Sequence, residues 1–214
     1  MKLLKNMLIY LAWLVKNIYF LIAFLICLSI IYLSKNYFHP NFSKGYLIGK
    51  EAVFPYFKYF LYLHILTAPI VYISGLFQFM FTRNKGHKLV GKIYIFSVLC
   101  LAAPSGFLMS FFSIGGFWAI LNFILLSVLW FLVTYKSYLA ILVSDYKIHK
   151  QFIIRSFILT NSAILLRLFS YFNNNYHLLK PSNSYVIIAW FSWLPWLILY
   201  ELYLLGNKNA NNSV

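Results

Sequence analysis

The sequence predicts an all-α fold: an integral membrane bundle of about six transmembrane helices, with both termini on the cytoplasmic side. Three observations predict it. Of 214 residues, 63% are hydrophobic and only 10% charged, whereas a soluble domain carries about 25% charged residues. Mean hydropathy is +0.78. Apolar runs of about 20 residues, the length that crosses a hydrocarbon core, recur along the chain with cations at their ends.

The first run extends over 17–34, after Lys2, Lys5 and Lys16. Leu33-Ser34-Lys35 offers no small-residue cleavage site, so the run reads as an uncleaved first span rather than a signal peptide. Residues 2–15 read as an amphipathic lead-in lying on the membrane surface. Asn36 to Lys58, with His39-Pro40, Gly45, Gly49 and Pro55, is the longest polar stretch and reads as a loop. Span two is expected over 56–81 and span three over 89–110, the latter kinked at Pro104-Ser105-Gly106. Gly115-Gly116 marks a turn before span four, over 117–139. The polar turn 145–150 leads to span five, over 151–172, which ends in Asn173-Asn174-Asn175. Span six is expected over 185–205. The organisation is therefore residues 1–55 as first span and connecting loop, 56–206 as the membrane bundle, and 207–214 as a disordered tail, with no room for a soluble domain.

Orientation follows from the short loops. Arg83, Lys85 and Lys88, with Lys92 beyond, follow span two; Lys147 and Lys150, flanked by Lys136 and Arg155, follow span four. The turn between spans three and four carries no charge, so the basic turns are assigned to the cytoplasm. The loop after span one dissents, holding Lys35, Lys44, Lys50 and Lys58 against Glu51.

The balance of 18 Lys+Arg to 3 acidic residues suits anionic lipid headgroups rather than nucleic acid, because no basic patch is long enough to track a phosphate backbone. The bilayer is the expected partner. Cys27 and Cys100 sit inside apolar runs and read as small core residues. The sequence holds no Ser/His/Asp pattern, HExxH motif, P-loop or Gly-rich nucleotide motif, and three carboxylates are too few for a two-metal phosphoryl-transfer site.

Polar groups inside spans are costly unless partnered, so each is a site candidate. Helix rise sorts them into two layers. The outer layer holds His64, with Thr67 one turn on, Asn122 and Arg167. No carboxylate lies at this level, so Arg167 must use backbone carbonyls, Asn122 or an anionic ligand, or else snorkel to headgroups. The side chain of His64 is too short to snorkel; it bonds between helices or binds a ligand. The inner layer holds His87 and His149. Each opens a helix and is followed by Lys88 or Lys150 and then by Lys92 or Arg155, an echo of a parallel repeat. Two readings stand for this pair: axial ligands of one b-type haem iron, with the cations on its propionates, or interfacial histidines that meet lipid phosphate. Glu201 is the lone carboxylate within a span and is expected to pair with Arg155 or Lys92. Gln78 joins this supporting network. Trp190, Trp193 and Trp196 are expected on one helix face.

The ordered string His64, Thr67-Ala68, Gly75-Leu76-Phe77-Gln78-Phe79, Arg83, His87-Lys88-Leu89-Val90-Gly91-Lys92-Ile93-Tyr94, His149 to Arg155-Ser156, Leu166-Arg167, Trp193 or Trp196 and Glu201 resembles a bacterial membrane-protein family, domain of unknown function 2306, over about residues 58 to 205. The resemblance implies a small multi-pass membrane protein and assigns no reaction; the expected location is the inner (plasma) membrane. Lys88 and Lys92 stand where the family pattern has Arg, so a forked contact is not available there. The sharpest functional expectation is haem b or quinone bound in a redox role. The alternative is a non-enzymatic accessory or assembly subunit, with a lipid or small-molecule site or another membrane subunit as partner. A permease is disfavoured by the scarcity of carboxylates and of a Gly/Pro-broken helix pair.

Overall fold

The computed structural model describes residues 2–43, 45–80 and 85–212. Arg83 and Asn84, part of the expected basic turn, and Lys44 in the long loop lie outside them. Among the described residues there are helices and no strands. Six stretches are long and apolar enough to cross a membrane: Asn6–Phe38, Phe54–Phe79, Gly86–Ser110, Gly116–Leu142, Tyr146–Tyr176 and Asn183–Asn207. They alternate in direction. One end of the bundle, the hairpin end, carries the end of the second span at Met80, the start of the third at Lys85 and the turn at 143–145. The other, the loop end, carries residues 35–53 and the turns near Gly115 and His177.

Helix α1, Lys2–Ser34, is continuous. The expected separate lead-in is therefore absent, because no Gly or Pro interrupts 2–34 and every intervening residue tolerates a helix. α1 lies at the edge of the bundle and buries Ala23 and Cys27. Its polar tie is Tyr19, whose hydroxyl reaches Asn161 Oδ1 at 3.4 Å, an acceptor shared with the Tyr72 hydroxyl at 3.2 Å.

Helix α2 spans Phe54–Met80 and returns through α3, Lys85–Phe96. Gln78 closes this hairpin by donating Nε2 to the His87 carbonyl at 2.8 Å, and its amide packs against Gly91. Gly75 is required for packing: a Cβ there would stand 2.6 Å from the Phe157 ring.

Span three is not a simple kinked helix. A π-helical turn, Ser97–Ala102, separates α3 from α4, Ala103–Ser110. Pro104 sits in the first turn of α4. Its ring lacks an N–H and crowds the carbonyl one turn earlier, so the irregularity falls before the expected Pro104-Ser105-Gly106 kink.

Helices α5, Gly116–Leu142, and α6, Tyr146–Tyr176, form the central antiparallel pair. Ser144 takes the left-handed conformation (φ 59°) and Asp145 caps α6 by accepting from Ile148 N at 2.9 Å. Their facing stripe is small and polar: Thr134 and Ser137 on α5, Ser156 and Thr160 on α6, all buried. Ser156 Oγ meets the Tyr94 hydroxyl at 2.7 Å and the Thr134 hydroxyl at 2.7 Å, while the Tyr94 hydroxyl also reaches Thr160 Oγ1 at 2.8 Å.

Span six is also broken, into α7, Pro181–Phe191, and α8, Leu194–Asn212. Pro195 cannot bond the Phe191 carbonyl, and Trp196 Nε1 does so instead at 3.1 Å. The three tryptophans therefore do not share one face: Trp193 is buried and Trp196 is exposed. Among the described residues two spans are interrupted near a proline, where only span three was expected to be and no broken pair was expected. α8 continues to Asn212, past the last apolar residue of the run. Cys27 is buried as expected, but Cys100 is exposed.

At the loop end, Leu47, Phe54, Phe57 and Leu61 form a second apolar cluster. It encloses Lys50, whose Nζ makes no hydrogen bond among the described residues and lies 3.3 Å from the centroid of the Tyr46 ring. Burial lowers the Lys50 ammonium from 10.5 to about 8 and raises the Tyr46 phenol. The folded chain thus holds fewer protons than the unfolded chain from pH 8 upward, so stability rises with pH there. Above the ordinary phenol value near 10, Tyr46 opposes this. The thermal midpoint in detergent should therefore increase from pH 7.5 to pH 9.5. Lys50→Met should raise the midpoint at pH 7.5 and flatten that slope; an unchanged slope would refute the assignment.

Candidate functional site

His64 lies ten residues into α2, far too deep for its ring to reach either surface. Nδ1 is 3.1 Å from the Ala102 carbonyl and 3.3 Å from Ser105 Oγ. A carbonyl only accepts, so Nδ1 carries the hydrogen; in the neutral form of the ring Nε2 then holds the lone pair. No hydrogen bond engages Nε2 among the described residues. The acceptor exists because the π-helical turn ends at Ala102, and the ring fits because residue 106 is glycine: a Cβ there would lie 3.2 Å from His64 Cε1. The Thr67 hydroxyl bonds the Leu63 carbonyl of its own helix at 2.7 Å and takes no part.

Arg167 stands at a similar level on α6. Its Nη1 donates to the Ala163 carbonyl at 2.9 Å, and its remaining N–H groups make no bond among the described residues. The side chain is exposed, and it lies within electrostatic reach of His64, Tyr37, Tyr185 and Cys27. Asn122 is not its acceptor. Asn122 Oδ1 instead accepts from Trp193 Nε1 at 2.8 Å, linking α5 to the break in span six, and Nδ2 is buried without a partner. The outer layer thus contains an imidazole whose Nε2 makes no hydrogen bond, and a guanidinium with unbonded donors, among the described residues. Neither a carboxylate nor Asn122 neutralises the latter.

The hairpin-end layer is built differently. Arg155 meets Glu201 through Nε at 2.5 Å and Nη2 at 2.8 Å, the forked geometry of a strong pair. Its guanidinium lies between the Phe152 and Tyr200 rings, 4.8 and 5.5 Å from their centroids, with Nη1 buried and unpartnered. Lys92, the other expected partner, is exposed, as is Lys88. The ring of His149 is fixed by Ser137, with Nδ1 2.9 Å from both its carbonyl and its hydroxyl. The carbonyl contact places the hydrogen on Nδ1. His87 is partly buried at the start of α3, where its carbonyl receives Gln78. Among the described residues no group of three or more His, Cys, Asp or Glu could hold a metal ion.

Sequence reasoning missed the Ser156 hub, the Asn122–Trp193 bond and the Ala102 carbonyl as partner of His64. The first two involve residues too common in spans to stand out. The third is a backbone atom, signalled in sequence only by Pro104 two residues on.

Together the six spans, the broken helices and the polar groups held within the bundle define a multi-pass integral membrane protein with an internal polar site. Residues 61–204 match the family described as "Predicted membrane protein (DUF2306)", and the chain belongs to that family. α1 and the loop after it precede the matched segment. No curated protein and no solved structure matches the chain.

The side chains of Arg155 and Glu201 are 14% and 44% exposed, so removing one partner strands a largely desolvated charge. Glu201→Ala should destabilise the bundle by about 1–3 kcal/mol, less than a fully buried pair would lose. The double apolar variant Arg155→Met/Glu201→Met should recover most of that in a thermal melt. Equal losses in both variants would show that the pair is not what matters at this position.

Proposed function

We propose that the chain is a quinone-binding protein of the inner membrane, with its site at His64 and Arg167. The observation that carries this reading is the tautomer of His64. With Nδ1–H committed to Ala102 O, Nε2 of the neutral ring can only accept, and a guanidinium that can only donate lies within electrostatic reach. A quinol hydroxyl matches the first group and a ring carbonyl the second. A ligand with both oxygens on one flat ring suits the aromatic surroundings, which include Tyr37 and Tyr185. Binding is assigned here, not a redox step. The basic hairpin end then faces the cytoplasm, which places this site in the outer half of the bilayer. His87, His149, Lys88, Lys92 and Gln78 stand apart from it, and Asn122 is bonded to Trp193.

A second reading has its own support. His149 donates Nδ1–H to a backbone carbonyl, the support that metal-ligating histidines commonly have, and this leaves Nε2 as a ligand atom for haem b. Protein made with ample haem and examined before and after dithionite decides it. Absence of a Soret band ends the haem reading, while a band abolished by His149→Ala and by His87→Ala establishes it.

For the quinone site, a short-chain ubiquinone analogue should quench tryptophan fluorescence of the purified protein saturably. Arg167→Leu and His64→Phe should each weaken binding at least tenfold, about 1.4 kcal/mol or more. Undiminished binding in both variants would refute the assignment.

A further inference from the structure

The hairpin end carries a groove remote from His64. There α5 and α6 leave about 310 Å³ between them, with Leu139, Ala140 and Val143 on the α5 side and Ile148 and Phe152 on the α6 side. Leu139, Val143 and Ile148 are exposed. Two charged residues also line the groove, Lys136 and Asp145. Lys136 lies six residues before Leu142, the last residue of α5, and Phe152 six residues after Tyr146, the first of α6. Both therefore stand about 9 Å in from the hairpin turn, and Asp145 sits in that turn as the cap of α6. A helix of 27 residues is about 40 Å long and outreaches a hydrocarbon core of about 30 Å. The groove thus falls where hydrocarbon gives way to head groups.

Opposite charges that share a groove could neutralise each other, yet Lys136 and Asp145 form no ion pair. Among the described residues the one ion pair is Arg155 with Glu201. Lys136 Nζ lies over the Phe152 ring, 5.6 Å from its centroid, and makes no hydrogen bond among the described residues. Asp145 Oδ1 accepts from Ile148 N at 2.9 Å, and its second oxygen is unbonded among those residues. Of the three carboxylates in the chain, Glu201 is committed to Arg155 and Glu51 lies in the loop at the opposite end. Lys88, Lys92, Lys147 and Lys150 are exposed at the hairpin end but are not among the lining residues. The groove therefore presents one cation and one anion, each unpaired, at the two ends of apolar walls.

We infer that this groove binds a phospholipid with an ethanolamine head group. The phosphate meets the Lys136 ammonium, the primary ammonium meets the free oxygen of Asp145, and the glycerol region lies on the apolar walls. The order along the membrane normal agrees, because the cation is the deeper group and the carboxylate the outer one, as phosphate and amine follow one another outward from the glycerol. An anionic head group would satisfy Lys136 but be opposed by Asp145. A choline head group has both charges, but its trimethylated nitrogen offers no N–H to a carboxylate. A bare hydrocarbon chain would leave both residues unpaired. This site is independent of the quinone reading, since none of its residues belongs to the His64–Arg167 pair.

Native mass spectrometry of the full chain tests the inference, with the protein released from detergent holding equal amounts of ethanolamine, choline and glycerol phospholipids of identical acyl chains. The wild type should retain the ethanolamine lipid about fivefold over each of the others, the contrast that one interfacial ion pair supplies. Asp145→Asn keeps a capping oxygen for Ile148 N and so preserves the start of α6. It should bring the ethanolamine-to-choline ratio to within about twofold and raise retention of the glycerol lipid. Lys136→Met should lower retention of all three. A wild type without preference, or an ethanolamine preference unchanged in both variants, would overturn the assignment. So would displacement of the lipid by free phosphoethanolamine at equal concentration, because the apolar walls would then contribute nothing.

Discussion

Water is absent from the hydrocarbon core, so every polar atom that enters must find its partner within the protein. The bundle meets this constraint first at Ser156. Its hydroxyl joins Tyr94 of α3 and Thr134 of α5 to α6, with Thr160 completing the set. Helix association in lipid gains little from apolar burial and depends on close packing and interhelical hydrogen bonds. The small stripe on α5 and α6 brings the backbones together, and Gly75 lets α2 close on the Phe157 ring. The central pair is therefore held by short polar side chains, while the large aromatic residues mostly face lipid or the loop-end cluster.

The same constraint separates polar residues that hold the fold from those available for binding. Gln78, Asn161 and Ser105 are each bonded to a carbonyl or hydroxyl of this chain. The Arg155–Glu201 pair locks α8 to α6. Beside Tyr46 OH, Lys50 Nζ, Ser113 Oγ and Asn122 Nδ2, the groups left unbonded at the loop-end level among the described residues include His64 Nε2, donors of Arg167 and the hydroxyl of Ser127. These leftovers lie on adjoining elements, and two of them converge on Gly106. A bundle assembled only for stability would gain by bonding these groups internally or replacing them with apolar residues.

Much of this was legible in the sequence because membrane cost acts residue by residue. Apolar run length gave six spans, and helix rise placed His64 level with Arg167 and Glu201 level with Arg155. What escaped depends on backbone geometry or on a partner distant in sequence. The π-helical turn at 97–102 has no side-chain signature beyond the proline that follows it. Arg167 was expected to use either a carbonyl or Asn122; the choice of Ala163, and of Trp193 for Asn122, is settled by which faces of α5, α6 and α7 meet. The continuity of α1 was missed because charge at 2, 5 and 16 suggested a surface segment, although charge alone does not end a helix.

The two broken spans show why one region rather than the other holds the candidate chemistry. Each break carries a carbonyl that accepts from a ring nitrogen: Phe191 O from Trp196 and Ala102 O from His64. The indole has a single nitrogen, so its bond to Phe191 exhausts its polar capacity and the break in span six is closed chemically. The imidazole has two. Fixing the hydrogen on Nδ1 makes Nε2 an acceptor with a defined direction, so the bond that stabilises the break in span three also orients a free lone pair inside the membrane. The fold-stabilising contact and the binding group are thus two ends of one side chain.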